Sequence, residues 1–446
     1  MHESFLVKRE TFLYIYPYAE GKTMKDVFKQ IIIDNQEKDY SYVLERDIDF
    51  PLKSNKIIAF TGVRRSGKTH VMYYAIKKLK EKVSHKNIVF INFEDDRIFP
   101  LTLNDLGTLP EAYYELFPEN KNEKVYFFFD EVQVVENWEK FIRRLYDTEN
   151  CRIFISGSSS KLLSSEIATS LRGRTLTFEV FPLSFKEYLS FSGINADPPF
   201  SSKSKATINH YLQRYLQYGG FPELIYSEER FVKQILQEYL DMIIYKDLIE
   251  RYSVNNHYLL KYLVKYCMLN IGTLLSYNKL FNELKSRGLQ ISKNTLYNYI
   301  QYLEETYAVF SVPLYSRSYS EVSKNPKKIY SIDVGFKTAI GISEDIGHKY
   351  ENIVFLHLRR KSKNIYYWKL NKEVDFILDD DGLQIINVTY DLSDPKTYER
   401  EMSGLEEAML KTKKDKALLI NLDKKDIVKT GSGTIQVIPL WEWLLK

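Results

Sequence analysis

Cysteine is nearly absent from this sequence. Only Cys151 and Cys267 occur in 446 residues, far apart and in no metal-ligand spacing, which excludes a disulfide framework and a zinc finger. Histidine is sparse as well: the seven residues form no HxH or HxxxH pair, so no structural zinc is expected. No apolar run approaches the roughly 20 residues that span a bilayer. The opening MHESFLVKRETFLYIY lacks the basic–apolar–small order of a secretory signal. A reducing, cytoplasmic setting without membrane attachment is the expectation. Net charge is small too, at +4, but residues 276–328 hold eight Lys/Arg against four Glu. That segment carries the whole imbalance and is where an anionic partner would bind.

What is present is a globular composition, 44% hydrophobic and 27% charged, in a chain long enough for roughly three domains. Its most informative stretch is KIIAFTGVRRSGKTHVMYYAIKKLK. An apolar strand at Ile57–Phe60 runs into Gly62-Val-Arg-Arg-Ser-Gly67-Lys68-Thr69 and then into an amphipathic helix, the P-loop pattern in its strand–loop–helix context. The glycines let backbone N–H groups turn toward phosphates, and the helix N-terminus adds its positive end. Gly62, Arg65, Ser66, Gly67, Lys68, Thr69 and His70 form the expected nucleotide-binding set. Lys68 would reach the terminal phosphates and the Thr69 hydroxyl would hold Mg²⁺.

The next segments favour an ATPase over a kinase. KVYFFFDEVQ is an apolar strand ending in Asp130-Glu131, where Asp130 would bind Mg²⁺ and Glu131 would polarise an attacking water. CRIFISGSSS is another buried strand, and Ser158 after it could contact the γ-phosphate. Arg172 and Arg174 precede a strand at Thr175–Val180; either could stabilise phosphoryl charge, in cis or on a neighbouring subunit, or belong to a solvated basic loop. Arg64 and Arg65 carry the same ambiguity. The acids of FINFEDDRI could face the nucleotide or pair with those arginines.

In order, GVRRSGKT, NFEDDR, FFFDEVQVVENWEKFIRRL, ISGSSSKLL, LRGR, FPLSFKEYL, YGGFPELI, IYSIDVGF and EVDFIL resemble a family of archaeal and bacterial ATPases. These join an AAA+-like P-loop core to a restriction-endonuclease-like (PD-(D/E)xK-type) C-terminal domain. The resemblance implies an α/β protein: a parallel-sheet ATPase core at 51–192, a helical lid at 205–270 and a nuclease-like α/β domain at 323–446. It implies nucleotide and Mg²⁺ binding by Lys68 and Thr69, hydrolysis by Asp130 and Glu131, sensing by Ser158 and an arginine-finger candidate in Arg174. Residues 1–50 read as an N-terminal helical arm, with apolar spacing around Val27, Phe28, Ile31 and Ile32.

Residues 271–322 read as a winged helix-turn-helix. A helix at Tyr277–Ser286 ends at Gly288, Ser292 caps a second helix, and Val309–Tyr315 would begin the wing. In a double-stranded-DNA-binding version, Lys293, Asn294, Tyr297 and Asn298 approach the groove. Lys279, Lys285, Arg287, Arg317, Lys324, Lys327 and Lys328 would then touch phosphates. The alternative is a packing module with a wetted charged face.

In EVDFILDDDGLQIINVTYDL, two strands flank an acidic turn, and a turn near Asp381 sets Asp375 across from Asn387, with Glu373 and Thr389 on the same face. By the resemblance, Asp375 matches the first nuclease carboxylate, while the E-x-K positions read Asn387-Val388-Thr389. Glu351 could be a further acid. Asp391 and Lys369 share the parity of the missing groups, so a relocated site is conceivable; no cleavage is the expectation. The function expected is a Mg²⁺-dependent ATPase coupled to DNA binding, with oligomerisation or a protein partner left open. The alternatives are a non-hydrolysing, ATP-dependent protein-recruiting switch and an ATP-regulated nuclease.

Overall fold

The computed structural model describes residues 23–157, 171–341, 345–380 and 382–446. Five strands, β1 (Ile57–Thr61), β2 (Ile88–Asn92), β3 (Val125–Asp130), β4 (Cys151–Gly157) and β5 (Thr175–Glu179), form one parallel sheet in the order β2-β3-β4-β1-β5. Its central strands are apolar over most of their length because both faces are covered. Alternation splits β1 between two cores: Ile57 and Ala59 pack with helices Met24–Glu37, Leu103–Leu116 and Trp138–Thr148, while Ile58 and Phe60 pack with helix Lys68–Lys80. The parallel sheet therefore delivers every strand's C-terminal end to one edge, where the P-loop follows β1 and Asp130-Glu131 close β3.

The helix of the N-terminal segment packs on the core sheet. This helix, Met24–Glu37, starts on a Thr23/Asp26 capping box and buries Phe28, Ile31 and Ile32 against β2 and helix Leu103–Leu116. After the sheet come helices Ser202–Tyr218 and Glu229–Met242, a π-helical stretch at Ile243–Glu250, and helix His257–Leu269.

The helix pair Tyr277–Ser286 and Lys293–Glu305 forms where the sequence indicates, with Ser292 accepting from the Thr295 amide. A small antiparallel sheet of β6 (Leu274–Leu275), β7 (Val309–Val312) and β8 (Lys327–Ser331) accompanies it, in the order β6-β8-β7. The boundary expected at 322/323 is thereby corrected, because it would cut the central strand, β8, from its partners. The break expected at 270/271 is no gap in the core either. Helix Gly335–Ile340 packs on three lid helices, and one apolar cluster runs from Phe181 to Leu444 and takes in Val63 of the P-loop.

The C-terminal sheet is mixed: β9 (Ile365–Lys369), β10 (Glu373–Asp379), β11 (Leu383–Val388), β12 (Lys416–Asn421), β13 (Asp426–Thr430) and β14 (Gly433–Pro439), ordered β13-β14-β12-β11-β10-β9. β10 and β11 make the expected antiparallel hairpin, with Phe376 opposite Ile386, which continues to Asp375 beside Asn387. Among the described residues, no helix is long and apolar enough to cross a membrane.

Candidate functional site

The P-loop backbone is shaped by close approach. A Cβ on Gly62 would lie 2.2 Å from the Val180 carbonyl oxygen, and Gly67 holds a left-handed φ of 96° at the helix N-cap. Lys68 is almost fully buried, and its ammonium donates to the carbonyls of Gly62 and Val63, each at 3.2 Å. The Ser66 hydroxyl is buried with no hydrogen-bond partner among the described residues. A loop that turns a lysine and an unmatched hydroxyl inward suits a phosphate chain.

Arg46 holds this loop from outside it. Its guanidinium donates to the Ser66 carbonyl at 2.9 Å, the Phe181 carbonyl at 2.8 Å and Glu187 at 2.7 Å, with the Arg46–Glu187 pair buried. Glu187 is pulled down to about 2: burial would raise it, but Arg46 and Arg360 outweigh that. No local motif marks Arg46, because its partners lie 20, 135 and 141 residues away.

The acids meet the loop as expected. Thr69 donates to Asp130 at 2.7 Å, close to the roughly 2.9 Å between adjacent ligands of an octahedral Mg²⁺, so this hard oxygen pair fits that ion. Ser156, a buried residue within β4, donates to the other Asp130 oxygen and accepts from the Glu131 amide at 3.1 Å. Burial, then the neighbouring Glu131 charge, pushes the Asp130 carboxyl above its usual range. Glu131 sits at a left-handed φ of 53°, its carboxylate 3.9 Å from the Lys68 ammonium and bonded to Gln133. Ser156 was overlooked in the sequence because a serine inside a strand reads as packing; Ser158 lies outside the described residues.

The arginines part ways. Arg174 stands at the opposite edge of the sheet: its carbonyl accepts from the Ile57 amide at the start of β1, and its side chain pairs with Asp147 at 3.1 Å. Five strand residues, roughly 16 Å, separate it from its own P-loop, so of the roles left open the cis one does not fit. Arg172, at a φ of 48°, is exposed nearby. Arg65 leans to the lid, 3.5 Å from Glu223 and over the Tyr239 ring. Arg64 turns to the acid side, 3.0 Å from Asp247 and 3.7 Å from Glu94. Of the NFEDDR acids, Asp95 pairs with Arg97 instead. Loop, acids and lid enclose a cleft of about 800 Å³ that Tyr42, His70, Tyr73 and Tyr226 also line. Burial lowers the His70 imidazole below its usual 6.5, helped by the Arg46 charge.

A second cluster lies in the C-terminal half. The Lys328 ammonium is within 3.0 Å of Glu351, 2.9 Å of Glu373 and 2.8 Å of Asp375. Asp375 also accepts from the Val388 amide at 2.9 Å, and Asn387 donates to Glu401. Among the described residues no three His, Cys, Asp or Glu side chains are arranged to hold a metal ion; here the carboxylates converge on an ammonium. Lys328 is thus corrected from a phosphate contact to a buried ion-pair centre. Lys369 joins only the rim, pairing with Glu373 at 3.0 Å, and Asp391 turns to Ser393.

The helix Lys293–Glu305 exposes Lys293, Asn294, Tyr297, Asn298 and Gln301 on one face. Lys279, Lys285, Arg287, Arg317 and Lys324 are exposed as well, and Lys327 is half-buried.

Comparison with known proteins agrees with the core. The family model of an AAA domain matches residues 54–189; two domains of unknown function, DUF8612 and DUF4143, match 209–345 and 346–443. An uncharacterised protein of Methanocaldococcus jannaschii is 37% identical over 434 residues, covering 94% of this chain and 96% of its own. A Haemophilus influenzae protein is 30% identical over 406 residues, covering 90% and 96%. Among solved structures, a Walker-type ATPase of Pyrococcus abyssi is similar at 14% identity and a TM-score of 0.39, over 71% of this chain and 95% of that one.

Proposed function

The chain belongs to the family of AAA-domain proteins that includes its Methanocaldococcus and Haemophilus relatives, and from that premise we propose that it is a Mg²⁺-dependent ATP hydrolase whose nucleotide state alters binding of double-stranded DNA. The observation that carries the reading is the convergence of Lys68, Thr69, Asp130, Ser156 and Glu131 at one sheet edge. Thr69 and Asp130 would hold Mg²⁺, which when bound neutralises charge on the β- and γ-phosphate oxygens. Lys68 receives the terminal phosphates. Glu131 orients and polarises the water for in-line attack on the γ-phosphorus, while Ser156 fixes Asp130. Arg174 can serve only a neighbouring subunit's site, in an oligomer.

The exposed polar face of helix Lys293–Glu305, together with these exposed cations, supports the DNA reading and a winged-helix assignment. Coupling is supported by direct contacts from core and lid to this region. The hydroxyls of Thr61, at the end of β1, and Tyr307 lie 3.1 Å apart. Tyr252 stacks on Tyr302 at 3.9 Å and donates to Glu305 at 2.6 Å. The C-terminal domain, nuclease-like in its hairpin and acids, is read as binding without cleaving, because Lys328 already matches its carboxylates.

The test is the ATP hydrolysis rate with and without duplex DNA, against Glu131→Gln as blank. Hydrolysis above that blank, stimulated by DNA, is expected. A rate equal to the blank would refute hydrolysis, and a rate indifferent to DNA would refute the coupling.

A further inference from the structure

Arg64 and Arg65 are adjacent in the P-loop but pair apart: Arg65 with the half-exposed Glu223, Arg64 with Glu94 and the buried Asp247. Arg64 donates to both oxygens of Asp247, at 3.0 and 3.2 Å, across 183 residues. Asp247 is 4% exposed and belongs to the π-helical stretch Ile243–Glu250, a geometry frequent at functional sites. Burial raises the Asp247 carboxyl, and Arg64 counters that rise. A buried ion pair is a weak source of stability compared with apolar packing, so a pair whose Arg64 lines the cleft while Asp247 lies buried behind it calls for another account.

Arg64 also stands within the field of Glu131, the residue aimed at the terminal phosphate. A phosphate held by Lys68 would present the guanidinium with a doubly charged acceptor whose oxygens suit its fork as a carboxylate's do, with the larger charge in its favour. The Arg64 side chain lines the same cleft as Lys68 and Thr69, so both candidate partners lie on the cleft side of the loop it belongs to.

Resting on the nucleotide reading above, we propose that Arg64 reads the γ-phosphate in cis, exchanging Asp247 for it, and that Asp247 is its resting counter-ion. Arg64 therefore separates triphosphate from diphosphate, whereas Lys68 serves both. Asp247 is a positioning residue that competes with the triphosphate.

The experiment is titration of the full chain with AMPPNP and with ADP, each with Mg²⁺, by calorimetry. Arg64→Ala is expected to weaken AMPPNP binding about ten-fold or more, the equivalent of one charge-assisted hydrogen bond, while ADP stays within about two-fold. Arg64→Gln gives the same readout should the alanine variant not fold. Asp247→Asn is expected to tighten AMPPNP several-fold with ADP unchanged, an effect in the direction opposite to structural damage. Equal losses for both nucleotides in the Arg64 variants, or no loss for AMPPNP, overturn the proposal, as does an Asp247→Asn that weakens AMPPNP. A wild type that binds neither nucleotide overturns the nucleotide reading itself, and this proposal with it.

Discussion

Lys68 and Lys328 are both almost sealed from solvent, at 4% and 2% exposure, and both stand near acids, yet they are matched differently. Lys68 faces two carbonyl dipoles and one carboxylate 3.9 Å away. Lys328 has three carboxylates within 3.0 Å. Burial alone would lower the Lys328 ammonium, but Asp375 and Glu351 overcome it and hold it well above 10.5. Partial charges leave a lysine able to attract an anion; full opposite charges leave it neutralised. The same residue type therefore makes a binding site in one half of the molecule and an internal tie in the other.

The sharpest way to break this comparison is to remove each lysine. Lys68→Ala is expected to weaken ATP binding by about 10³-fold, the scale of losing a charged partner in a closed site, while Lys328→Met leaves ATP affinity within about two-fold. Fluorescence titration of both proteins decides it, and similar losses in the two would erase the distinction. Glu131→Gln should retain ATP binding and lose about 10²- to 10⁴-fold in kcat, measured by phosphate release; a variant turning over at the wild-type rate would remove Glu131 from its role.

Stability should move the other way. Lys328→Met leaves buried carboxylates without their partner and is expected to cost about 3–5 kcal/mol, read from urea unfolding. Lys328 holds Glu373 below its ordinary 4.5 against the pull of burial. A depressed carboxyl stabilises above its unfolded value and loses that contribution as pH falls through the folded one. The gap between wild type and Lys328→Met should therefore narrow below about pH 4.5, and a gap independent of pH would contradict the ion-pair account. The smallest effect is expected at the exposed face: Lys293→Ala should weaken duplex binding a few-fold and reduce the salt slope by about one. Filter binding at several salt concentrations measures it, and an unchanged slope would remove Lys293 from the DNA contacts.

How much was legible follows from these distances. The P-loop and Asp130-Glu131 could be read because each occupies a few consecutive residues whose strand and loop context is itself local. The helix pair was readable to the residue at Ser292, since a cap and its apolar period lie within one helix. Asp375 beside Asn387 followed from strand alternation about a short turn. Lys328 was misjudged because counting charge along residues 276–328 treats every lysine as outward, whereas β8 turns this one under the C-terminal sheet. Whether Arg174 acts in cis stayed open because only the parallel pairing of β5 with β1 puts the residue before β5 at the edge opposite the P-loop.

By itself, then, the sequence determined the chemistry that fits inside one turn or one strand: the glycines that let the loop bend at Gly62 and Gly67, the lysine and hydroxyl that follow, and the apolar strands that end in acids. Only the tertiary structure decided which distant charges meet: Arg46 with Glu187, Arg64 with Asp247, Lys328 with Glu351, Glu373 and Asp375. The reason is that backbone conformation is governed by neighbours along the chain, while an ion pair forms only where packing brings two side chains within hydrogen-bonding reach and excludes water from both.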